Sequence, residues 1–153
     1  MANTYTQIHI QAVFTVHDRQ CLIDNVWKDE LYKYITGIIQ NHDHKVLQIN
    51  GMPDHIHILF GMRTTQSISD LMKQVKQDSS KWINNKGFVV GRFSWQAGFG
   101  AFSYSKSQIP RVINYIKNQE NHHKKKSFTE EYLDLLDEFE IDFDKRYIFK
   151  PID

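Results

Sequence analysis

The 153-residue chain carries a single cysteine, Cys21, so it cannot form an internal disulfide and nothing in it requires an oxidising compartment. It has no apolar run approaching the roughly 18 residues of a membrane span. Its N-terminal stretch MANTYTQIHIQAVF lacks the basic region and long apolar core of a secretion signal, so a cytoplasmic location is expected. There is no internal repeat, and Lys124-Lys125-Lys126 is the one low-complexity tract. What is present argues for a single folded domain over residues 1–153. Apolar residues make up 41%, with ten Phe, seven Tyr and three Trp, at a length that can bury a real core.

The net charge of +1 conceals a segregation. Residues 1–72 hold 5 Lys/Arg and 7 Asp/Glu, residues 73–126 hold 11 and 2, and residues 127–153 hold 3 and 9. A basic middle segment points to a polyanionic partner, because Lys and Arg that neutralise phosphates release counterions. The competing reading is that the acidic C-terminal segment folds back and neutralises it.

Residues 5–16, rich in β-branched and aromatic residues in near-alternation, predict a strand. Asp24 or Asn25 is placed to cap a helix running to about Asn41, with Val26, Leu31, Tyr34, Ile35, Ile38 and Ile39 as its apolar face. Strands over 45–50 and 54–61 flank a Gly51-Met52-Pro53 turn. Ser67 or Ser69 opens a second helix, stopped by the run from Asn84 to Gly87. Residues 88–105 read as a strand with a flexible loop, punctuated by Gly91, Gly98 and Gly100. A third helix runs from Ser105 or Ser107 to about His123, and Thr129 with Glu130 and Glu131 opens a short acidic one. This order predicts an α+β fold of the ferredoxin-like βαββαβ type, an antiparallel sheet with helices packed on it. A layout of that kind does not itself assign a function.

Two short segments carry chemistry. In Asp54-His55-Ile56-His57-Ile58-Leu59-Phe60, strand alternation sends His55, His57 and Leu59 to one face and Ile56, Ile58 and Phe60 to the other. Two imidazoles on one face can share a metal ion, or can be solvated or hydrogen-bonded histidines. On the third helix, Ile109, Val112, Ile113 and Ile116 form the buried stripe. Tyr115 and Gln119 lie one turn apart on its flank, near Arg111 and His122, where they can face a cleft. A boundary tyrosine that packs its ring and wets its hydroxyl would look the same.

Taken together, GMPDHIHILF, SISDLMKQVKQDSSKWI and SWQAGFGAFSYSKSQIPRVINYIKNQENHHKKKSF resemble the single-tyrosine transposases of small bacterial insertion sequences and their REP-associated relatives. These are His-hydrophobic-His enzymes acting on single-stranded DNA, and the resemblance covers nearly the whole chain. It implies that His55, His57 and Gln119 hold a divalent metal and that Tyr115 is the nucleophile, forming a 5′-phosphotyrosine. None of the four positions departs from the family pattern. The resemblance also implies a single-stranded DNA partner carrying a hairpin, and a homodimer.

The residue types suit such a reaction. A tyrosyl phosphodiester conserves the bond energy that rejoining needs and divides one displacement into two. Phenol is a weak nucleophile at neutral pH, so a metal that polarises the phosphate supplies what is missing. A mixed imidazole and amide set suits Mg²⁺ or Mn²⁺, Mg²⁺ being the expected ion, with Zn²⁺ disfavoured for want of a cysteine or carboxylate ligand. The expected DNA contacts are Lys73, Lys76, Lys81, Lys86, Arg92, Arg111, Lys117 and Lys124–Lys126. Trp95, Phe99 and Tyr104 are candidates for stacking on bases. Three rival readings remain open: a domesticated relative that cuts hairpin repeats, a non-catalytic nucleic-acid-binding module, and a hydrolytic metalloenzyme using His55 and His57.

Overall fold

The computed structural model describes residues 3–143 of the chain. Strand β1 (His9–Thr15) pairs antiparallel with β3 (His55–Gly61), and their register aligns Ile10 with Phe60, Ala12 with Ile58 and Phe14 with Ile56. These six residues face one side of the sheet and join a single buried cluster. The intervening pairs, Gln11 with Leu59, Val13 with His57 and Thr15 with His55, face the other side. Strands β2 (Lys45–Met52) and β4 (Gly100–Tyr104) complete an antiparallel sheet in the order β2-β3-β1-β4. The βαββαβ chain order and this strand order agree with the ferredoxin-like arrangement expected.

Helices cover both faces. On the first face lie α1 (Lys28–Asn41) and α2 (Ile68–Lys86), which insert Leu31, Ile35, Ile39, Leu71, Val75 and Ile83 among the strand side chains. Helix α2 has both of its expected ends. The Ser67 Oγ accepts from the Asp70 N–H at 3.0 Å, and Gly87 adopts φ 68° beyond its last turn. The second face is shared. Helix α3 (Ile109–Lys117) buries Ile109, Val112 and Ile116 over Leu59. Helix α5 (Phe128–Glu138) buries Phe128, Tyr132, Leu135 and Leu136 over Val13 and Phe102. Between them the face of His55 and His57 is left for polar side chains, with the short α4 (Gln119–His123) at its edge.

Several sequence expectations shift. The first helix starts at Lys28 because Asp24 Oδ1 accepts from the Val26 N–H at 2.9 Å, which makes a turn before any helix and leaves Val26 exposed. Strand β2 runs on through Gly51 and Met52, so the hairpin turn falls at Pro53-Asp54. Residues 88–99 form no named strand: Phe93 and Trp95 leave the loop to enter the first core, and Trp95 makes only an isolated bridge with Val16. The last helix is opened by Ser127, whose Oγ accepts from the Glu130 N–H at 3.2 Å, two residues before the expected Thr129.

The expected long third helix is broken at Asn118, with φ −98° and ψ 25°. Its side-chain Nδ2 donates to the Asn114 carbonyl at 2.9 Å, and Asn50 Nδ2 from β2 donates to the Ile116 and Lys117 carbonyls at 3.0 and 3.2 Å. Those carbonyls lie at the helix end, where intrahelical donors run out. We expect Asn50→Ala to lower the unfolding free energy by about 1–2 kcal/mol, measured by urea denaturation, because it strips donors from the end of α3.

Gly51 holds the β2–β3 hairpin close. A Cβ there would lie 2.2 Å from the His55 carbonyl oxygen, a backbone atom that cannot swing aside. Gly51→Ala is therefore expected to destabilise by about 1–3 kcal/mol, read as a lowered thermal midpoint.

Candidate functional site

Strand β3 places His55 and His57 side by side on the second face, both fully buried, with ring centroids 5.2 Å apart. Each ring is fixed through Nδ1. Asp54 Oδ1 lies 2.7 Å from His55 Nδ1, and Gln11 Oε1 lies 2.7 Å from His57 Nδ1. Gln11 is oriented in turn by its Nε2, which donates to the Tyr104 hydroxyl at 2.7 Å. Acceptors at both Nδ1 atoms assign the protons there and leave the Nε2 lone pairs directed inward. Carboxylate or amide oxygens behind a histidine are the usual outer partners of a metal-ligating imidazole.

Oxygen acceptors meet those lone pairs. Gln119 Oε1 lies 3.1 Å from His55 Nε2, and Glu131 Oε1 lies 3.0 Å from His57 Nε2 and 3.6 Å from His55 Nε2. A divalent cation placed among them would find lone pairs directed at it from each side. Ligands about 2.0–2.2 Å from a divalent ion stand about 3.0–3.6 Å from their neighbours, so the spacing fits. Among the described residues, His55, His57 and Glu131 form a group whose ligand atoms lie within 4.8 Å of one another.

The nucleophilic candidate lies against the same carboxylate. The Tyr115 hydroxyl donates to Glu131 Oε2, which also accepts from Gln119 Nε2 at 3.0 Å. Burial, and then the Glu131 charge, push the Tyr115 phenol well above its ordinary range. Burial would push the Glu131 carboxyl up, but the hydrogen bonds it accepts, that from His123 foremost, outweigh it and hold the group ionised. His123 Nε2 lies 3.1 Å from Glu131 Oε1. Although burial opposes it, the carboxylate's hydrogen bond and charge raise the His123 pKa, so His123 is its proton-bearing partner. Burial lowers the His57 pKa despite the pull of Glu131, so that ring is neutral at pH 7 and available as a ligand. A cleft of about 290 Å³ opens onto Tyr115 and Glu131, walled by His122, Lys126 and Leu135, and a second of about 310 Å³ reaches His123 beside Tyr32 and Lys124.

The site thus sets a buried His-x-His strand against a tyrosine and a glutamine. The family model described as "Transposase IS200 like" matches residues 4–119, which include both histidines, Tyr115 and Gln119. The chain belongs to this family. No curated protein matches this transposase in sequence. Its fold is similar to that of a protein described as a transposase from Deinococcus radiodurans, at 17% identity and a TM-score of 0.61, over 78% of this chain and 95% of that one. It is also similar to a REP-associated tyrosine transposase bound to a REP hairpin, at 12% identity and a TM-score of 0.60, over 80% of this chain and 73% of that one. At these identities the likeness is one of fold.

Within this transposase the four expected site residues meet in one chain, although Tyr115 and Gln119 lie on different helices. The expected DNA contacts divide between the layers. Arg111, Lys117, Lys124 and Lys125 are exposed on or beside α3 and α4, on the histidine side of the sheet. Lys73 and Lys81 are exposed on α2, across the sheet from the site, and Arg92 is exposed in the 88–99 loop. Lys76 differs. Its ammonium donates to the Gln96 carbonyl at 2.9 Å and to the Gly98 carbonyl, which ties the loop to α2. Of the aromatics, Trp95 is buried, with its Nε1–H donating to Ser79 Oγ at 2.9 Å, so it packs the core instead of presenting a face to a base. The fold-back of the acidic segment is partial, since Lys126 pairs with Asp134 while Glu130, Asp137 and Glu138 remain exposed.

Three members of the site went unforeseen: Gln11, His123 and Glu131. For Glu131 a signal existed. Phe128, Glu131, Tyr132 and Leu135 fall at helical spacing on one stripe, and a glutamate within an apolar stripe is out of place unless something pairs it.

Proposed function

We propose that this transposase cleaves and rejoins single-stranded DNA, with Tyr115 attacking the scissile phosphate and His55, His57 and Gln119 holding a divalent metal, Mg²⁺ or Mn²⁺. The observation that carries the reading is the convergence of two Nδ1-anchored histidines and Gln119 Oε1 beside a tyrosine hydroxyl that shares their carboxylate neighbour. An ion bound there would polarise the phosphate and offset the Glu131 charge that holds the phenol protonated.

The chain's own residues do the remainder. Tyr115 Oη forms a bond to phosphorus, and the bond from phosphorus to the 3′-oxygen breaks. The 3′-oxygen leaves with the electron pair and takes a proton from water, while the phenolic proton passes to solvent. The 5′-phosphate is then held as a tyrosyl diester, and a later attack by a 3′-hydroxyl reverses the step. Asp54 and Gln11 keep the imidazoles in the tautomer that presents Nε2. Arg111, Lys117, Lys124 and Lys125 supply the positive rim for the strand, and the hairpin held by the REP-associated neighbour makes a hairpin-bearing strand the substrate to try first. Because one chain assembles the whole constellation, a homodimer would serve to bring two DNA ends together.

The test is a denaturing gel of the purified chain with Mn²⁺ and oligonucleotides covering both flanks of its own gene. A covalent band whose label travels with the 3′ end of the oligonucleotide is expected. Binding without any covalent band would move the assignment to a DNA-binding module.

A further inference from the structure

Helix α5 lies beyond residue 119, where the match to the family model ends, yet it delivers a carboxylate to the middle of the site. It is firmly docked. The Phe128 ring packs on His55 at a centroid distance of 4.4 Å, Arg19 Nη1 donates to Thr129 Oγ1 at 2.6 Å, and Tyr132, Leu135 and Leu136 are buried over Val13 and Phe102. Glu131 is therefore a wall of the site, only 4% exposed.

We infer that Glu131 is a further metal ligand, its Oε1 completing the donor set of His55, His57 and Gln119 while its Oε2 holds the Tyr115 hydroxyl beside the ion. The role beside Tyr115 rests on the reading proposed above; the role as ligand can be tested without it. The geometry is that of a shared centre, with Oε1 at 3.0 and 3.6 Å from the two Nε2 atoms. The chemistry agrees. Two neutral imidazoles and an amide bring no charge to a buried divalent ion, and a carboxylate supplies both charge and a hard oxygen. One carboxylate bridging ion and nucleophile would also set their separation, which the break at Asn118 leaves to tertiary contacts.

The experiment is Mn²⁺ binding to the full chain, followed by calorimetry and by the Mn²⁺ electron paramagnetic resonance signal, for wild type, Glu131→Gln, Glu131→Asp and His57→Ala. Glu131→Gln keeps the shape and loses the charge, and is expected to weaken Mn²⁺ about tenfold or more with circular dichroism unchanged. Glu131→Asp keeps the charge on a shorter arm and is expected to fall between it and wild type, which supplies the answer if the amide variant is unstable. Unchanged affinity in Glu131→Gln, with binding lost in His57→Ala, would overturn the inference and leave the proposed metal site standing. Unchanged Mn²⁺ affinity together with tighter single-stranded DNA binding would also overturn it, making Glu131 a plug that occupies the phosphate's place. Wild type that binds no Mn²⁺ would instead remove the metal-dependent reading itself.

Discussion

Tyr115→Phe is expected to abolish the covalent protein–DNA adduct, a fall of about 10⁴-fold or more, while single-stranded DNA binding and fold survive. The substitution removes one oxygen and keeps the ring, which packs 4.6 Å from His122 and 5.9 Å from His57 by centroid. Glu131 Oε2 loses the phenolic donor but keeps Gln119 Nε2 at 3.0 Å, so the stability change should stay within about 1 kcal/mol. The same variant separates the rival chemistry. A hydrolase running on His55 and His57 would retain metal-dependent cleavage in Tyr115→Phe, whereas transesterification by this phenol cannot. An adduct of undiminished yield would mean that another nucleophile acts, and Tyr104, whose hydroxyl is bound to Gln11 Nε2, would be the next to replace.

His57→Ala is expected to erase the stabilisation that Mn²⁺ confers. An ion that binds only the folded chain, present at about 100 times its dissociation constant, stabilises by about 2.7 kcal/mol. For a chain of this size that is roughly 5–10 °C in thermal midpoint. His57 is the better test of the two histidines. Its Nε2 lies nearest to Glu131 Oε1, at 3.0 Å, and its Nδ1 is held by Gln11, so its loss removes a donor and opens a gap between α3 and α5. The variant should melt somewhat below wild type without metal, because a buried ring is lost, and at the same temperature with or without Mn²⁺. A midpoint that still climbs with Mn²⁺ would show that the ion binds elsewhere.

Much of this was legible in the residues themselves. Alternation along Ile56-His57-Ile58-Leu59-Phe60 dictates which side chains face the core and which face the site, since a strand's side-chain period admits no other division. Ser67 or Ser69, with Gly87, marked the ends of α2 by cap chemistry, which is local, and Ser67 is the serine that caps it. The pair His55 and His57, with Tyr115 and Gln119 some 60 residues later, was likewise present as a pattern.

Other features depended on contacts between segments distant in sequence. A continuous third helix was the sound local expectation. Its break at Asn118 is supported by Asn50, which reaches from β2 to take the carbonyls at the end of α3. The 88–99 segment has strand-like composition but gives its aromatic side chains to the core, and burying Phe93 and Trp95 outweighs pairing its backbone along a sheet edge. Glu131 falls on the apolar stripe of its helix, but only the docking of Phe128, Tyr132 and Leu135 on the sheet carries it to the histidines. The sequence alone thus determined the strand faces, the ends of α2 and the residue types of the site, because these follow from local periodicity and side-chain chemistry. Tertiary structure alone decided which carboxylate and which helix end meet there, because buried polar groups must find partners and those partners lie far along the chain.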